Sequence, residues 1–194
     1  MGLLDQVGVL LDITRTHDIV RRYFVVNGFD GALTMLGLII GFLVSAPVNL
    51  SLIINVCLGA AIALGMSGMS SAYISESAER RRALGKLEQA MISDLQESAH
   101  GDATRWVPLL IALVNGLAPF IISLLILLPL WLSAAGMPLP VPPLYAAIIV
   151  ALLLIFLLGV FLGRIAGVSW LRSGMQTLIV AVVTAALIYL FARH

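Results

Sequence analysis

Asp30 stands in the run VNGFDGALTMLGLIIG, which is otherwise apolar, small or uncharged. If a membrane helix begins near Tyr23, Asp30 lies about two turns inside it, at about 3.6 residues per turn. A carboxylate near mid-bilayer costs roughly 2.5–3.5 kcal/mol on insertion scales, and such groups mark ion or proton pathways by default. Its oxygens could replace the water that a cation sheds on entry. The competing role is a helix cap, with Asn27 or Asp30 opening a shorter span that starts at Gly31.

Other residues could serve the same chemistry. Met66 and Met69, in LGMSGMSSAY, are three positions apart and share one helix face. Thioether sulfur suits transition metals and poorly suits Mg²⁺ or Ca²⁺. Packing is the ordinary role of methionine in an apolar helix. Gly65, Ser67, Gly68, Ser70 and Ser71 around it permit close helix approach with or without an ion path. Glu76 and Glu79 are also on one face, and Glu88, Asp94 and Glu97 follow on the same polar segment. Carboxylates at helical spacing can hold Fe²⁺ or Mn²⁺. They can equally form a solvated face in which Glu79 pairs with Arg82 or Lys86. Asn115 with Pro119 puts an amide and a missing backbone donor inside an apolar run, a break tolerated where helices pack or line a cavity. Asn27 and Asn115 are therefore candidate path-lining residues.

The elements that must position these groups are membrane spans. Roughly 20 apolar residues in a helix cross a ~30 Å hydrocarbon core, and five blocks qualify. The first runs from near Tyr23 or Asp30 to Ala46, and the second from about Leu50 to Tyr73. Trp106 to Leu132, Pro143 to Leu162 and Leu171 to Ala192 are the other three. Pro47 and Asn49 break the first pair into a helical hairpin, and SAAGMPLPVPP from Ser133 to Pro143 cannot continue a helix. The fold class is thus an all-α membrane protein of five spans, read as one transmembrane domain over residues 1–194. Residues 1–22 read as an N-terminal segment whose Leu3, Leu4, Val7, Leu10, Leu11 and Thr14 recur at helical spacing. That spacing fits an amphipathic helix on the membrane face, or a leader tucked against the bundle. With Asp5, Asp12 and Asp18 and no basic n-region, it does not read as a secretory signal.

Arg15, Arg21 and Arg22 precede span one. Arg80, Arg81, Arg82, Lys86 and Arg105 separate spans two and three, and Arg164 and Arg172 separate four and five. The turn around Pro47 and the loop Ser133–Pro143 carry no Lys or Arg; only Arg193 dissents. The positive-inside rule then places the N-terminus in the cytoplasm and the C-terminus outside. Residues 76–105 form the sizeable polar segment, in which Leu84, Leu87, Met91 and Leu95 keep helical spacing. A short cytoplasmic helix is expected there, continuing span two or folding back, and ending near Gly101.

Composition closes off other classes. Hydrophobic residues make up 61% of the chain and charged ones 11%, with mean hydropathy +1.09, too little charge to cover a soluble surface. A net charge of +1 without a basic stripe speaks against nucleic acid. Cys57 stands alone, so neither an intrachain disulfide nor a thiolate zinc cluster can form, and His17, His100 and His194 are scattered. Phosphate loop, dinucleotide fingerprint, HExxH and a Ser/His/Asp set are missing, so an enzyme is not expected.

Several runs then resemble one family. RRYFVVNGFDGALTMLGLIIG resembles the first span of the vacuolar iron transporters, and GMSGMSSAYISESAERR their second. NGLAPFIISLLILLPL has the family's proline-containing third span, and WLRSGMQTLIVAVVTAALIYL closely resembles the last. The resemblance implies a homodimer that exports Fe²⁺ or Mn²⁺ from the cytosol in exchange for protons, with no tightly bound cofactor. Asp30 falls on the family's intramembrane carboxylate, Met69 or Met66 near its metal-contacting methionine, and Glu76 and Glu79 at the start of its acidic region. The methionine is offset by about one residue relative to Tyr73, and the cytoplasmic segment is much shorter than the family's metal-binding domain. A reduced collecting site would draw on Glu76, Glu79, Glu88, Asp94 or Glu97, as in a short-domain prokaryotic-type member of the plasma membrane. The alternative is a membrane-embedded metal-binding or scaffold protein without transport.

Overall fold

In hydrocarbon every backbone N–H and C=O must find its partner within the protein, which leaves an apolar run little choice but a helix. The computed structural model describes residues 16–45 and 49–192. Its elements are α1 (Thr16–Val44), α2 (Leu50–Met91), α3 (Ala99–Ala134), α4 (Pro143–Ile165) and α5 (Trp170–Ala192). Among the described residues, all five are long and apolar enough to cross a membrane, and the regular structure is entirely helical. Residues 1–15 of the N-terminal segment lie outside the described residues, and its remainder runs straight into α1.

Local chemistry sets the helix ends. The Asn49 side chain accepts from Ser51 N–H at 3.0 Å and opens α2. Pro143 occupies the first turn of α4, where a missing N–H costs nothing. At about 1.5 Å per residue, the 42-residue α2 is about 60 Å long, twice the ~30 Å hydrocarbon core. Its polar half therefore projects beyond the bilayer, and so does the start of the 36-residue α3.

The polar segment is thus no separate helix but an unbroken extension of α2, and it stops ten residues before Gly101, at Met91. Ile92 takes the left-handed conformation, φ 51°, and its N–H returns to the Glu88 carbonyl. Glu88 Oε1 accepts from Leu95 N–H at 3.2 Å and Asp94 Oδ1 from Gln96 N–H at 2.9 Å. These side-chain bonds hold the backbone in a turn and compete with further helix. Gly101 lies instead in the first turn of α3, where a Cβ would collide with the Gln96 carbonyl.

Helix α3 packs along α2 and also lies against α1 and α4, while α5 packs mainly on α4. Met35, Leu36 and Ile39 of α1, Ile126, Leu127 and Leu130 of α3, and Ala151 and Ile155 of α4 share the main buried core. A smaller cluster, Ala72 with Ala103, Val107, Ile111 and Ala112, joins α2 and α3. Lipid tails are as apolar as leucine, so helices associate by close packing, and small residues set how close they come. A Cβ on Gly31 would lie 2.7 Å from the Pro119 Cα and carbonyl oxygen, and one on Gly116 2.8 Å from the Met69 Cβ. Gly59, by contrast, faces open space. Gly31→Ala is therefore expected to cost about 1–3 kcal/mol, the usual range for overpacking. Thermal unfolding in detergent checks this: Gly31→Ala should melt well below the parent protein and Gly59→Ala alongside it.

Candidate functional site

Pro119 has no N–H, so the carbonyl of Asn115, one turn earlier in α3, lacks its helical donor. That carbonyl faces α2, 2.9 Å from where a Cβ on Gly68 would stand. The Asn115 side chain, 6% exposed, bridges in both directions. Its Nδ2 donates to the Gly68 carbonyl at 2.6 Å, and its Oδ1 accepts from Asn27 Nδ2 of α1. Asn27 Nδ2 also donates to the Tyr23 carbonyl at 2.8 Å. One amide thus ties three helices together at the level of Pro119, through which α3 continues.

Farther along α2, the Tyr23 hydroxyl donates to Glu76 Oε1 at 3.3 Å, and Arg80 Nε lies 3.6 Å from Glu76 Oε2. Glu76 is 13% exposed and Arg80 17%. Arg80 Nε is buried without a hydrogen-bond partner, so the pair is close in charge but incompletely bonded. The layers Asn27–Asn115–Gly68 and Tyr23–Glu76–Arg80 make a polar seam between α1, α2 and α3, running from the spanning part toward the projecting part.

The structure separates the residues singled out in the sequence. Asp30 lies inside α1, fourteen residues after Thr16, which excludes a cap role for Asp30 and for Asn27. Asn27 turns inward to the seam, whereas Asp30, three positions on, is exposed on the outer face of α1. The two methionines divide likewise. Met69 packs against the α2–α3 cluster, and Met66 is 57% exposed. Glu79 is exposed, and its expected pairing with Arg82 or Lys86 is replaced by Glu76 with Arg80. Glu88 and Asp94 line one shallow cleft at the end of α2, and Glu97 is exposed beside it. Among the described residues, no three His, Cys, Asp or Glu side chains converge as a metal site.

In the sequence Tyr23 and Arg80 read only as a span boundary and a flanking charge, and Gly68 only as a small residue that permits close helix approach. Arg80 is four residues after Glu76, a spacing that predicts the pair. The role of Gly68 is a backbone carbonyl, for which a side-chain pattern gives no signal. A double-mutant cycle tests the bridge: Asn27→Ala and Asn115→Ala should be non-additive in thermal stability by about 0.6–1.7 kcal/mol, the range for interhelical hydrogen bonds in a bilayer. Additive losses would mean that the two amides act independently.

Comparison with known proteins agrees with this architecture. The chain is 29% identical over 175 residues to an uncharacterized protein of Methanocaldococcus jannaschii, covering 89% of this chain and 88% of that one. No solved structure matches it. The model of the VIT family matches residues 84–193, from the projecting part of α2 through α5 and more than half of the chain. With five bilayer-length helices and that match, the chain is a multi-pass membrane protein belonging to the VIT family, the vacuolar iron transporters.

Proposed function

We propose that this protein moves Fe²⁺ or Mn²⁺ out of the cytosol in exchange for protons. It would work as a homodimer in a prokaryotic plasma membrane, with its N-terminus cytoplasmic and its C-terminus outside. The observation that carries the reading is the position of Asp30. It lies within a bilayer-length helix, faces away from the packed core of its own chain, and among the described residues has no cationic side chain within 4.0 Å. Lipid is a poor neighbour for a carboxylate. A second copy covering this face of α1 would enclose Asp30 between two chains and supply further oxygen ligands. Family membership supports metal as the cargo.

In this reading the metal enters at Glu76 and Glu79, where α2 leaves the bilayer, and passes to Asp30 with help from Met66 or Met69. Met66 is exposed, and Met69 packs against the α2–α3 cluster. Ionised Asp30 holds the cation; a proton arriving from outside competes for the same oxygens and releases it. Transport therefore needs one carboxylate that alternates between the two, with access changing as helices rock about the seam.

The test is metal flux in vesicles that hold a metal-quenched dye. Fe²⁺ or Mn²⁺ entry should depend on a pH gradient in the parent protein. In Asp30→Asn, which keeps shape but can carry no charge, it should fall to the level of empty vesicles. Gradient-dependent flux at the parent rate in Asp30→Asn would remove Asp30 from the path. No flux of either ion from folded, inserted parent protein would favour a binding or scaffold role.

A further inference from the structure

The projecting part of α2 and the start of α3 enclose a cleft of about 450 Å³ that the metal path does not use. Tyr73, Ser77 and Arg81 of α2 line it, with Gln96 from the turn and Thr104 and Arg105 from α3. Glu88 is the one carboxylate in the lining, and its Oε1 is engaged by Leu95 N–H. Among the described residues, neither Arg81 nor Arg105 has a carboxylate within 4.0 Å. Two guanidinium groups with hydroxyl and amide donors around them favour an anion, and the planar fork of arginine matches phosphate oxygens in pairs.

The cleft is not polar throughout. At Tyr73 and Arg105 it meets a second, mainly apolar groove that continues past Trp106 and Leu109, both exposed. The direction of the two helices sets the order. From Arg81 back to Tyr73 on α2, and from Thr104 on to Leu109 on α3, the chain heads toward the spanning segments. The cationic end therefore lies away from the bilayer and the apolar end toward it, with an indole between them at interfacial depth. A free phosphate would find the guanidinium groups but have no use for the groove.

We infer that this cleft is a binding site for an anionic phospholipid, its phosphate between Arg81 and Arg105 and an acyl chain along Trp106 and Leu109. By the distribution of basic residues the site opens to the cytoplasmic leaflet, where anionic lipids attract juxtamembrane arginines. The lipid would tie the projecting α2–α3 pair to the membrane surface.

Native mass spectrometry of the intact protein, titrated with phosphatidylglycerol and with phosphatidylcholine, measures this directly. The parent protein should retain phosphatidylglycerol in preference to phosphatidylcholine. Each arginine near an anionic lipid contributes about fivefold in affinity, so R81Q/R105Q should bind about thirtyfold more weakly. R164Q/R172Q, which removes the same charge from the last turn of α4 and the first turn of α5, should bind like the parent. Both cleft arginines are exposed, so the double variant should keep the parent's helical circular dichroism and melting temperature. Unchanged retention in R81Q/R105Q, or equal loss in R164Q/R172Q, would overturn the site. Displacement of phosphatidylglycerol by an equal concentration of inorganic phosphate would overturn the lipid in favour of a soluble anion.

Discussion

The arrangement depends on how closely α2 and α3 approach at Gly65, Gly68 and Gly116. There a Cβ on Gly116 would stand 2.5 Å from the Gly65 carbonyl. Only backbone without side chains allows that contact, and it brings the Gly68 carbonyl within reach of the Asn115 amide. In water such a hydrogen bond would trade against solvent. In hydrocarbon the alternative is an unsatisfied polar group, so glycine packing and amide bridge support each other. Pro119 lies beside both, and Gly31 brings α1 onto it. Three helices thus converge where one of the three internal prolines of α3 leaves a carbonyl without its helical donor.

Two kinds of polar residue follow from this geometry. Asn27, Asn115, Tyr23 and Glu76 face inward and are used by the chain's own helices. Asp30 and Met66 face outward. The Asn27–Asn115–Gly68 layer is neutral and can be remade without stranding a charge, whereas the Tyr23–Glu76–Arg80 layer holds a charged pair. An outward carboxylate suits a ligand that crosses between chains.

The projecting ends of α2 and α3 extend the same logic beyond the bilayer. The buried cluster that joins the two helices is small, three alanines with Val107 and Ile111, and the flanks of the pair stay open. Arg81 and Arg105 stand on one such flank with Trp106 below them. The acidic residues expected to collect metal are divided along this extension. Glu88 and Asp94 hold the turn through backbone N–H groups, while Glu79 and Glu97 are exposed.

The amino-acid sequence by itself determined the five helices, the two proline-containing breaks near Pro47 and after Ser133, and the long polar segment after span two. These follow from hydropathy and from residues that cannot continue a helix, which are properties of neighbours along the chain. It also marked Asp30 and Asn115, because a polar group in a long apolar run is conspicuous without any fold. The end of the α2 extension was not legible, since Gly101 reads as a stop whereas the turn is held by bonds that Glu88 and Asp94 accept from backbone N–H groups. Only the tertiary structure decided that Asn27 turns inward and Asp30 outward, that Met69 packs while Met66 does not, and that Glu76 joins Tyr23. Which side of a helix is covered depends on crossing points fixed by glycines and prolines in other helices, and helical periodicity carries no record of them.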